Sequence, residues 1–202
     1  MSSKFVGIAG GSCSGKTTIV HALVASYEGS VSTVAFDSYY CDQGHMTLEE
    51  RARVNYDHPD SLDVDLFVRD LRSLRHGETV HTPIYDFTTH TRSQAFNEVG
   101  PSDLLVLDGI LLLAFPEITS LLDLCVFIEA SEETRFRRRI PRDIQERGRT
   151  EDQSRAQFKE TVQPMHARFV APSIDRADLV VDGEQSPNLS VAEISSALYS
   201  LD

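Results

Sequence analysis

Gly10-Gly-Ser-Cys-Ser-Gly-Lys-Thr17 is the stretch that decides the fold, because it matches the pattern G-x-x-x-x-G-K-[ST] at every fixed position. The apolar run Lys4–Ala9 before it suits a buried strand, and Thr17–Tyr27 after it carries apolar residues on one helical face. A strand, a glycine-rich loop and a helix form a phosphate-binding loop, in which backbone N–H groups and the positive helix end face an anion. The pattern therefore predicts binding of a nucleoside triphosphate rather than an ordinary glycine-rich turn.

Two side chains at the end of this loop suit the chemistry of a bound triphosphate. Lys16 is expected to reach the β- and γ-phosphates, and the Thr17 hydroxyl is expected to ligate Mg²⁺, the predicted cofactor. The predicted nucleotide-binding residues are Gly10, Gly11, Ser12, Cys13, Ser14, Gly15, Lys16, Thr17 and Thr18.

The composition predicts one acidic domain spanning residues 1–202, because 41% hydrophobic residues are enough to build a core in a chain of 202 residues. A formal net charge of −12 disfavours general binding to nucleic acid or to an anionic membrane. Three cysteines without metal-ligand spacing favour reduced thiols, and no signal-peptide core or membrane span is predicted. We therefore expect a soluble cytoplasmic protein without nucleic-acid or membrane partners.

Short apolar runs alternate with helical patterns along the chain, which predicts an α/β fold with a doubly wound, parallel, five-stranded sheet. Ligands of such sheets bind beyond the carboxyl ends of the strands. The predicted strands are Phe5–Ala9, Val31–Phe36, Leu104–Leu107, Leu124–Ile128 and Leu179–Val181. After the helix at Thr17–Tyr27, the predicted helices are Val64–Arg75, Ser131–Arg139, Thr150–Val170 and Val191–Leu201.

Residues 78–98 interrupt this alternation and predict an inserted β-hairpin with a polar tip. Pro83 favours an edge position, because proline cannot donate to a central ladder. Tyr85, Phe87 and His90 suit the recognition of a flat base beside a nucleotide site, or else they decorate the edge of a sheet.

Between Arg135 and Arg149 the chain has seven arginines and only two acidic residues. Such a concentration in an acidic protein predicts an anion site, because the planar guanidinium group binds phosphate in a bidentate manner. The alternative is a solvated helix face on which some of these arginines form i,i+4 ion pairs.

Three aspartates are candidates for chemistry. If the strand before Asp37 neighbours the first strand, this carboxylate faces the terminal phosphate and can accept a proton from an attacking hydroxyl. The alternative is that Asp37 caps the segment that follows it. Asp108 follows four apolar residues, as a Walker B carboxylate that directs Mg²⁺ does. Asp57, beside Tyr56, either binds vicinal hydroxyls or belongs to turns that cap the next helix.

With these motifs in order from Phe5 to about Asp182, the chain resembles the uridine kinase (uridine–cytidine kinase) family of P-loop kinases. The resemblance implies a P-loop NTPase fold with the inserted hairpin and an arginine-rich helical lid at about residues 135–150. It also implies transfer of the γ-phosphoryl group of ATP or GTP to the 5′-hydroxyl of uridine or cytidine. The matching motifs are Asp37–Tyr40, Tyr56–Asp60, Pro83–Phe87 with His90 and Arg92, Asp108–Leu111, Arg138–Asp143 and Glu146–Arg149.

The resemblance implies roles for individual residues. Asp37 corresponds to the general base, which acts beside Lys16, and Arg142 and Arg147 belong to the lid that closes over the transferring phosphate. Thr17 and Asp108 remain the expected metal ligands. A homo-oligomer, often a tetramer, is also implied. The implied nucleoside contacts are Tyr40, Tyr56, Asp57, Tyr85, Phe87, His90, Arg139, Arg149 and Gln157.

Three positions depart from the family pattern. Asp108 stands where Glu is usual, and Cys41-Asp42 stands where a basic residue commonly follows the Asp-Ser-Tyr-Tyr motif. The loop Asp182–Asn188, near the expected site of the donor's base, is more acidic than usual, which leaves the choice between ATP and GTP open.

Three other functions fit these residues less well. A phosphoribulokinase or pantothenate kinase would have no use for Tyr85 and His90, because neither substrate presents a pyrimidine edge. A GTPase switch needs Asn-Lys-x-Asp and Asp-x-x-Gly elements, which the sequence lacks. An idle nucleotide-binding regulator is favoured only by Asp108 and opposed by the intact Lys16 and Asp37.

Overall fold

The computed structural model describes residues 3–201, and within them a parallel sheet of five strands carries the fold. The order across this sheet is β2-β5-β1-β6-β7, while β3 and β4 pair with each other as an antiparallel hairpin. The strands are β1 (Lys4–Gly10), β2 (Val31–Ala35), β3 (Val80–Asp86), β4 (Thr91–Val99), β5 (Leu104–Asp108), β6 (Leu124–Glu129) and β7 (Leu179–Asp182).

Helices lie along the connections between these strands. The α-helices are α1 (Lys16–Ser26), α2 (Leu48–Ala52), α3 (Val64–Arg75), α4 (Pro116–Thr119), α5 (Glu132–Arg147), α6 (Glu151–Gln157), α7 (Gln163–Met165) and α8 (Pro187–Tyr199). Short 3₁₀ turns span Phe36–Tyr39, Pro59–Ser61, Leu112–Ala114 and Ala171–Arg176, and π-helical turns span Phe158–Val162 and His166–Val170. Within residues 3–201, no helix combines the length and the apolar character that crossing a bilayer requires.

The two faces of the sheet have separate apolar cores. Successive side chains of a strand point to opposite faces, so a continuous apolar run supplies both cores. Val6 and Ile8 of β1 belong to one buried cluster with Leu23 of α1. Phe5 of the same strand belongs to the other cluster, with Phe67 of α3. The doubly wound parallel sheet predicted from the sequence is therefore confirmed.

The order of the strands corrects one sequence expectation. The strand before Asp37, β2, does not neighbour β1, because β5 lies between them. Asp108, the last residue of β5, is in register with Ile8 of β1 and Ala35 of β2. The carboxyl edge of the sheet therefore carries Asp108 in the middle. Asp37 lies two residues beyond the end of β2, in a 3₁₀ turn rather than at the end of a strand.

Several predicted boundaries were wrong. The helix expected at Ser131–Arg139 begins as predicted, with the Ser131 hydroxyl accepting from the Thr134 N–H, but it continues through Pro141 to Arg147. The helix expected from Val191 begins at Pro187, since proline fits the first turn of a helix. The helix expected at Thr150–Val170 is interrupted by π-helical turns on both sides of α7, whose Pro164 has no N–H to donate.

Candidate active site

The loop between β1 and α1 has the backbone shape that a phosphate cradle needs. Gly10 (φ 141°) and Gly15 (φ 111°) lie in the left-handed region that glycine adopts without strain. Lys16 is only 8% exposed, and its Nζ donates to the carbonyls of Gly10 at 2.9 Å and Gly11 at 3.1 Å. Burial lowers the pKa of Lys16, while Asp108 and Asp37 oppose that shift. The loop is therefore curled around the Lys16 ammonium group, which the sequence predicts to reach the phosphates.

Arg138 of α5 fixes this loop from outside. Its Nη1 donates to the carbonyls of Ser14 at 3.1 Å and Gly183 at 3.0 Å. A side chain at Gly183 would collide with the Ser14 carbonyl, so the turn after β7 packs directly on the loop. Arg138 belongs to the arginine-rich segment and to the motif Arg138–Asp143, but its sequence position does not predict the contact with Ser14, which lies 124 positions away.

A cleft of about 700 Å³ opens beside this loop at the carboxyl edge of the sheet. Most of the predicted site residues line it, whereas Gly10, Gly11 and Ser14 form the inner backbone of the loop. The predicted residues that line the cleft are Ser12, Cys13, Gly15, Lys16, Thr17, Thr18, Asp37, Tyr40, Tyr56, Asp57, Tyr85, Phe87, His90, Asp108, Arg139, Arg142, Arg147, Arg149 and Gln157.

Asp37 combines partial burial with opposing charges from several sides. Burial, and then the nearby Asp108 carboxylate, raise its pKa from 3.8 to about 6, while Lys16 and Arg147 act in the opposite direction. Burial also raises the pKa of Asp108, which Lys16 opposes. A carboxylate that titrates about one unit below neutral pH suits proton acceptance, because it is ionised yet basic.

Asp57 lines the same cleft as Asp37 and interacts with several arginines. Burial raises the pKa of Asp57, and Arg139 and then Arg147 are the strongest of the arginines that oppose this shift. Asp57 is one of the groups that raise the pKa of Asp37, so the two carboxylates share one region of the cleft. Asp57 therefore faces the cleft rather than merely capping a turn.

Aromatic rings from two segments surround the rest of the cleft. Tyr40 packs against Tyr56 at a centroid distance of 5.3 Å and against Tyr85 at 5.1 Å. His90, at the tip of the hairpin, stacks on Tyr56 at 5.0 Å with an interplanar angle of 12°. Phe87 remains 46% exposed, and the guanidinium carbon of Arg147 lies 5.9 Å from its ring centroid. A flat ring can enter between these groups.

Arg139 links α5 to both the loop and α6. Its Nη1 donates to the Ser12 hydroxyl at 2.9 Å, and its Nη2 donates to Gln157 Oε1 at 2.8 Å. Arg139 is 2% exposed, which excludes the alternative of a solvated helix face for this residue.

The hairpin is fastened next to the cleft by contacts that the sequence did not indicate. The Thr91 hydroxyl donates a hydrogen bond to Asp42 Oδ1 at 2.5 Å, and Arg51 Nη1 donates one to the Thr89 carbonyl at 2.7 Å. Asp42 is the acidic residue that departs from the family pattern, and its contact gives that departure a structural role.

The Thr17 hydroxyl and the Asp108 carboxylate, which the sequence predicts as ligands of a metal ion, both line the cleft. Mg²⁺ prefers oxygen ligands and usually takes only one or two from the protein, with phosphates and water completing its octahedron. The pair therefore fits Mg²⁺ bound together with a triphosphate.

Comparison with known proteins gives sequence relatives along almost the whole chain. A model described as the phosphoribulokinase/uridine kinase family matches residues 5–190. A uridine kinase of Lactococcus lactis subsp. cremoris (strain MG1363) is 39% identical over 197 residues, covering 97% of this chain and 96% of that protein. A uridine kinase of Bacillus mycoides (strain KBAB4) is 44% identical over 177 residues, covering 87% of this chain and 84% of that protein.

Solved structures share the fold at much lower sequence identity. D-glycerate 3-kinase from Cryptococcus neoformans var. grubii superposes with a TM-score of 0.66 at 16% identity, covering 92% of this chain and 88% of that chain. Phosphoribulokinase from Rhodobacter spheroides superposes with a TM-score of 0.65 at 14% identity, covering 92% and 74%, respectively. Both are kinases by name, and at this identity the likeness concerns the fold alone.

Proposed function

Because the chain belongs to the phosphoribulokinase/uridine kinase family of kinases, we propose that it transfers the γ-phosphoryl group of ATP or GTP to the 5′-hydroxyl of uridine or cytidine. The products are UMP or CMP. The sequence relatives named as uridine kinases support this choice among the substrates that members of the family phosphorylate. By the same relationship we propose a homo-oligomer, a tetramer, that works in the cytoplasm.

The observation that carries the proposal is the position of Asp37. It lines the same cleft as Lys16 of the phosphate loop and Asp57, and both of these groups also shift its pKa. A nucleoside whose vicinal ribose hydroxyls bind Asp57 has its 5′-hydroxyl directed toward Asp37 and the phosphate loop. Asp37 then accepts the proton of that hydroxyl and holds the oxygen in line for transfer.

The donor binds through the phosphate loop, whose N–H groups and Lys16 meet the β- and γ-phosphates. Mg²⁺, held by Thr17 and Asp108, supplies neutralisation of the phosphate charge when it is bound. Arg142 and Arg147 lie in the proposed lid, at about residues 135–150. Fixed positive charge from the lid stabilises the transferring group, and closure excludes water as a competing acceptor.

The nucleoside base occupies the aromatic part of the cleft. Tyr40, Tyr56 and Phe87 contact its ring, and Tyr85 and His90 bind its pyrimidine edge. The ribose interacts with Asp57, helped by Arg139, Arg149 and Gln157. The aromatic packing around Tyr40 and the stacking of His90 on Tyr56 support this arrangement.

A coupled assay that follows ADP or GDP formation tests the proposal. The acceptors to compare are uridine, cytidine, adenosine, guanosine, pantothenate and ribulose 5-phosphate, each with ATP and with GTP. We expect consumption of the donor with uridine and cytidine, and chromatography should identify UMP and CMP as products. Donor consumption confined to ribulose 5-phosphate or pantothenate would refute the nucleoside assignment while leaving the kinase family unchanged.

A further inference from the structure

Asp143 of α5 is a fully buried carboxylate surrounded by four arginines. Arg139 Nε lies 3.0 Å from Oδ2, and Arg142 Nη2 lies 2.9 Å from Oδ1. Arg149 Nη1 lies 3.3 Å from Oδ2, and Arg147 Nε lies 3.9 Å from Oδ1. All four arginines line the cleft, whereas Asp143 does not. One buried carboxylate, outside the lining of the cleft, therefore contacts all four arginines that the proposed reaction uses.

The surroundings of Asp143 also connect two helices. The hydroxyl of Ser154, in α6, donates to Oδ2 at 3.0 Å and is itself fully buried. The backbone carbonyl of Asp143 accepts from the N–H groups of Gly148 and Arg149, which end α5. Gly148 has a φ of 62°, which suits glycine at a helix end. The side chain and backbone of Asp143 therefore fix the turn that carries Arg149.

Ordinary helix pairing does not explain this cluster. Arg139 and Arg147 stand four residues before and after Asp143, as surface ion pairs on a helix do. Arg142 and Arg149 do not have this spacing, and Asp143 and Arg139 are 0% and 2% exposed. A buried carboxylate is costly unless charged partners and hydrogen bonds surround it, and Asp143 has both. Burial acts to raise the pKa of Asp143, but the arginines and Ser154 outweigh it and keep the pKa below its usual value.

We propose that Asp143 is a positioning residue that holds Arg139, Arg142, Arg147 and Arg149 in the orientation in which they meet the substrate and the transferring phosphoryl group. This inference rests on the proposed function of the cleft. Four neighbouring guanidinium groups repel one another, and within residues 3–201 Asp143 is the one carboxylate that forms an ion pair with all four. Asp57 also attracts the four arginines, but from the cleft, where the substrate binds in the proposed function. Without the shared carboxylate they spread apart or bind other anions, and the ångström-level precision that phosphoryl transfer requires is lost.

The test compares Asp143→Asn with a matched control, Asp70→Asn. Asp70 is also a buried carboxylate, which accepts from the Tyr39 hydroxyl at 3.0 Å and from Arg69 Nη2 at 3.2 Å, but it does not line the cleft. We expect Asp143→Asn to lower kcat/KM for uridine by about 100-fold, with the larger part in kcat. We expect Asp70→Asn to lower Tm while kcat/KM stays within about threefold of the unchanged protein.

A second measurement distinguishes the loss of the arginines' counter-charge from a general loss of stability. In Asp143→Asn the four arginines lose their counter-charge, so sulfate should raise its Tm more than it raises the Tm of the unchanged protein or of Asp70→Asn. Equal sulfate effects in all three proteins would overturn the inference. A kcat/KM for Asp143→Asn within about threefold of the unchanged protein, or an equal loss in Asp70→Asn, would overturn it as well.

A milder variant keeps the test decisive if Asp143→Asn does not fold. Ser154→Ala removes the one hydrogen bond that a neutral side chain donates to Oδ2 and leaves every charge in place. We expect it to lower kcat/KM by about fivefold and Tm by several degrees, and an unchanged kcat/KM would count against the inference. The unchanged protein, assayed with uridine in parallel, keeps the two proposals separate. If it phosphorylates neither uridine nor cytidine, the proposed function fails, whereas the sulfate measurement still tests Asp143 without any turnover.

Discussion

Arg92 donates from Nε to the backbone carbonyl of Tyr40 at 2.8 Å and thereby joins the hairpin to the segment that carries Asp37. Its Nη2 also donates to the Tyr39 carbonyl at 3.1 Å and to Asp63 Oδ2 at 3.1 Å. One guanidinium group therefore connects the hairpin, the 3₁₀ turn after β2 and the start of α3. The distance between the proposed base-binding residues and the proposed general base depends on this connection.

Arg92→Ala should raise KM for the nucleoside by about tenfold to 100-fold, because it removes charge-assisted hydrogen bonds that fix the hairpin. KM for the triphosphate should change by less than about twofold, since the phosphate loop does not contact Arg92. Steady-state kinetics with each substrate varied in turn would measure both values. Arg53→Ala is the control, because Arg53 forms an exposed ion pair with Glu49 on the surface. A parallel rise of both KM values would contradict the proposed role of Arg92.

Asp37→Asn should lower kcat by about 100-fold to 10,000-fold, which is the usual contribution of a general base. The asparagine has nearly the same shape, so the affinity for the triphosphate should stay within about threefold. Rapid-quench kinetics would give the rate of transfer, and equilibrium titration with a fluorescent nucleotide analogue would give the affinity. A variant with near-normal turnover would remove Asp37 from the role of base.

The pH dependence of kcat/KM should follow the ionisation of Asp37. Since burial and Asp108 raise its pKa to about 6, the base is ionised at neutral pH and becomes protonated below pH 6. We therefore expect kcat/KM to fall about tenfold per pH unit below that value. Asp37→Asn should lose this limb of the profile. An acid limb that persists in the variant would assign the titration to another group.

The same pKa predicts an effect on stability. In the unfolded chain Asp37 titrates near 3.8, so the folded protein binds more protons between pH 3.8 and about 6. Its ionised form therefore destabilises the fold at neutral pH, and this cost disappears below pH 3.8. Asp37→Asn should raise the free energy of unfolding of the ligand-free protein at pH 7 by about 1–2 kcal/mol, discounted for solvent in the cleft. Thermal unfolding at pH 7 would detect a Tm increase of a few degrees, and a decrease would contradict the sign.

The sequence predicted the sheet well because buried parallel strands leave a strong local signal. The strand predicted at Leu104–Leu107 lies within β5, and the helix predicted at Val64–Arg75 coincides with α3. The sequence failed where distant contacts override local preference. Pro141 normally ends a helix, but α5 continues past it because Asp143, two residues later, is buried among arginines.

The candidate site shows the same division. Motifs predicted most of the residues that line the cleft, because each motif is continuous in the chain. The sequence did not predict the contacts that hold these motifs in place. Arg138 donates to a backbone carbonyl of the phosphate loop, and Arg92 donates to the backbone carbonyl of Tyr40. Every residue type has a backbone carbonyl, so the sequence does not show which carbonyl an arginine contacts. These partners could therefore be found only from the fold.

His90→Ala should weaken the preference for pyrimidine over purine nucleosides by about tenfold. Burial lowers the pKa of His90, as do Arg149 and Arg147, so its ring is neutral at pH 7 and can both donate and accept. His81→Ala is the control on the same hairpin, where His81 faces Phe96 and Glu98 away from the cleft. Relative kcat/KM values for the four nucleosides would measure the preference. Values that stay unchanged in His90→Ala would refute the assignment of this residue to the base.

Gly183→Ala should raise KM for the triphosphate while KM for the nucleoside changes less. A methyl group at Gly183 would collide with the Ser14 carbonyl and displace the phosphate loop, which Arg138 ties to the same turn. Because backbone cannot rotate away as a side chain does, we expect a loss of about 1–3 kcal/mol in stability and a rise of KM for ATP of about tenfold or more.

Gly100→Ala provides the matched control, since the nearest atom to its added methyl would be Thr79 Oγ1 at 3.4 Å, an ordinary contact. Tm and KM for ATP should therefore stay nearly unchanged in this variant. If Gly183→Ala bound ATP with the affinity of the unchanged protein, the prediction would be contradicted, because the turn after β7 could then move without displacing the phosphate loop. Gly10, Gly15 and Lys16 would then determine the shape of the loop, and the packing of Gly183 against it would not.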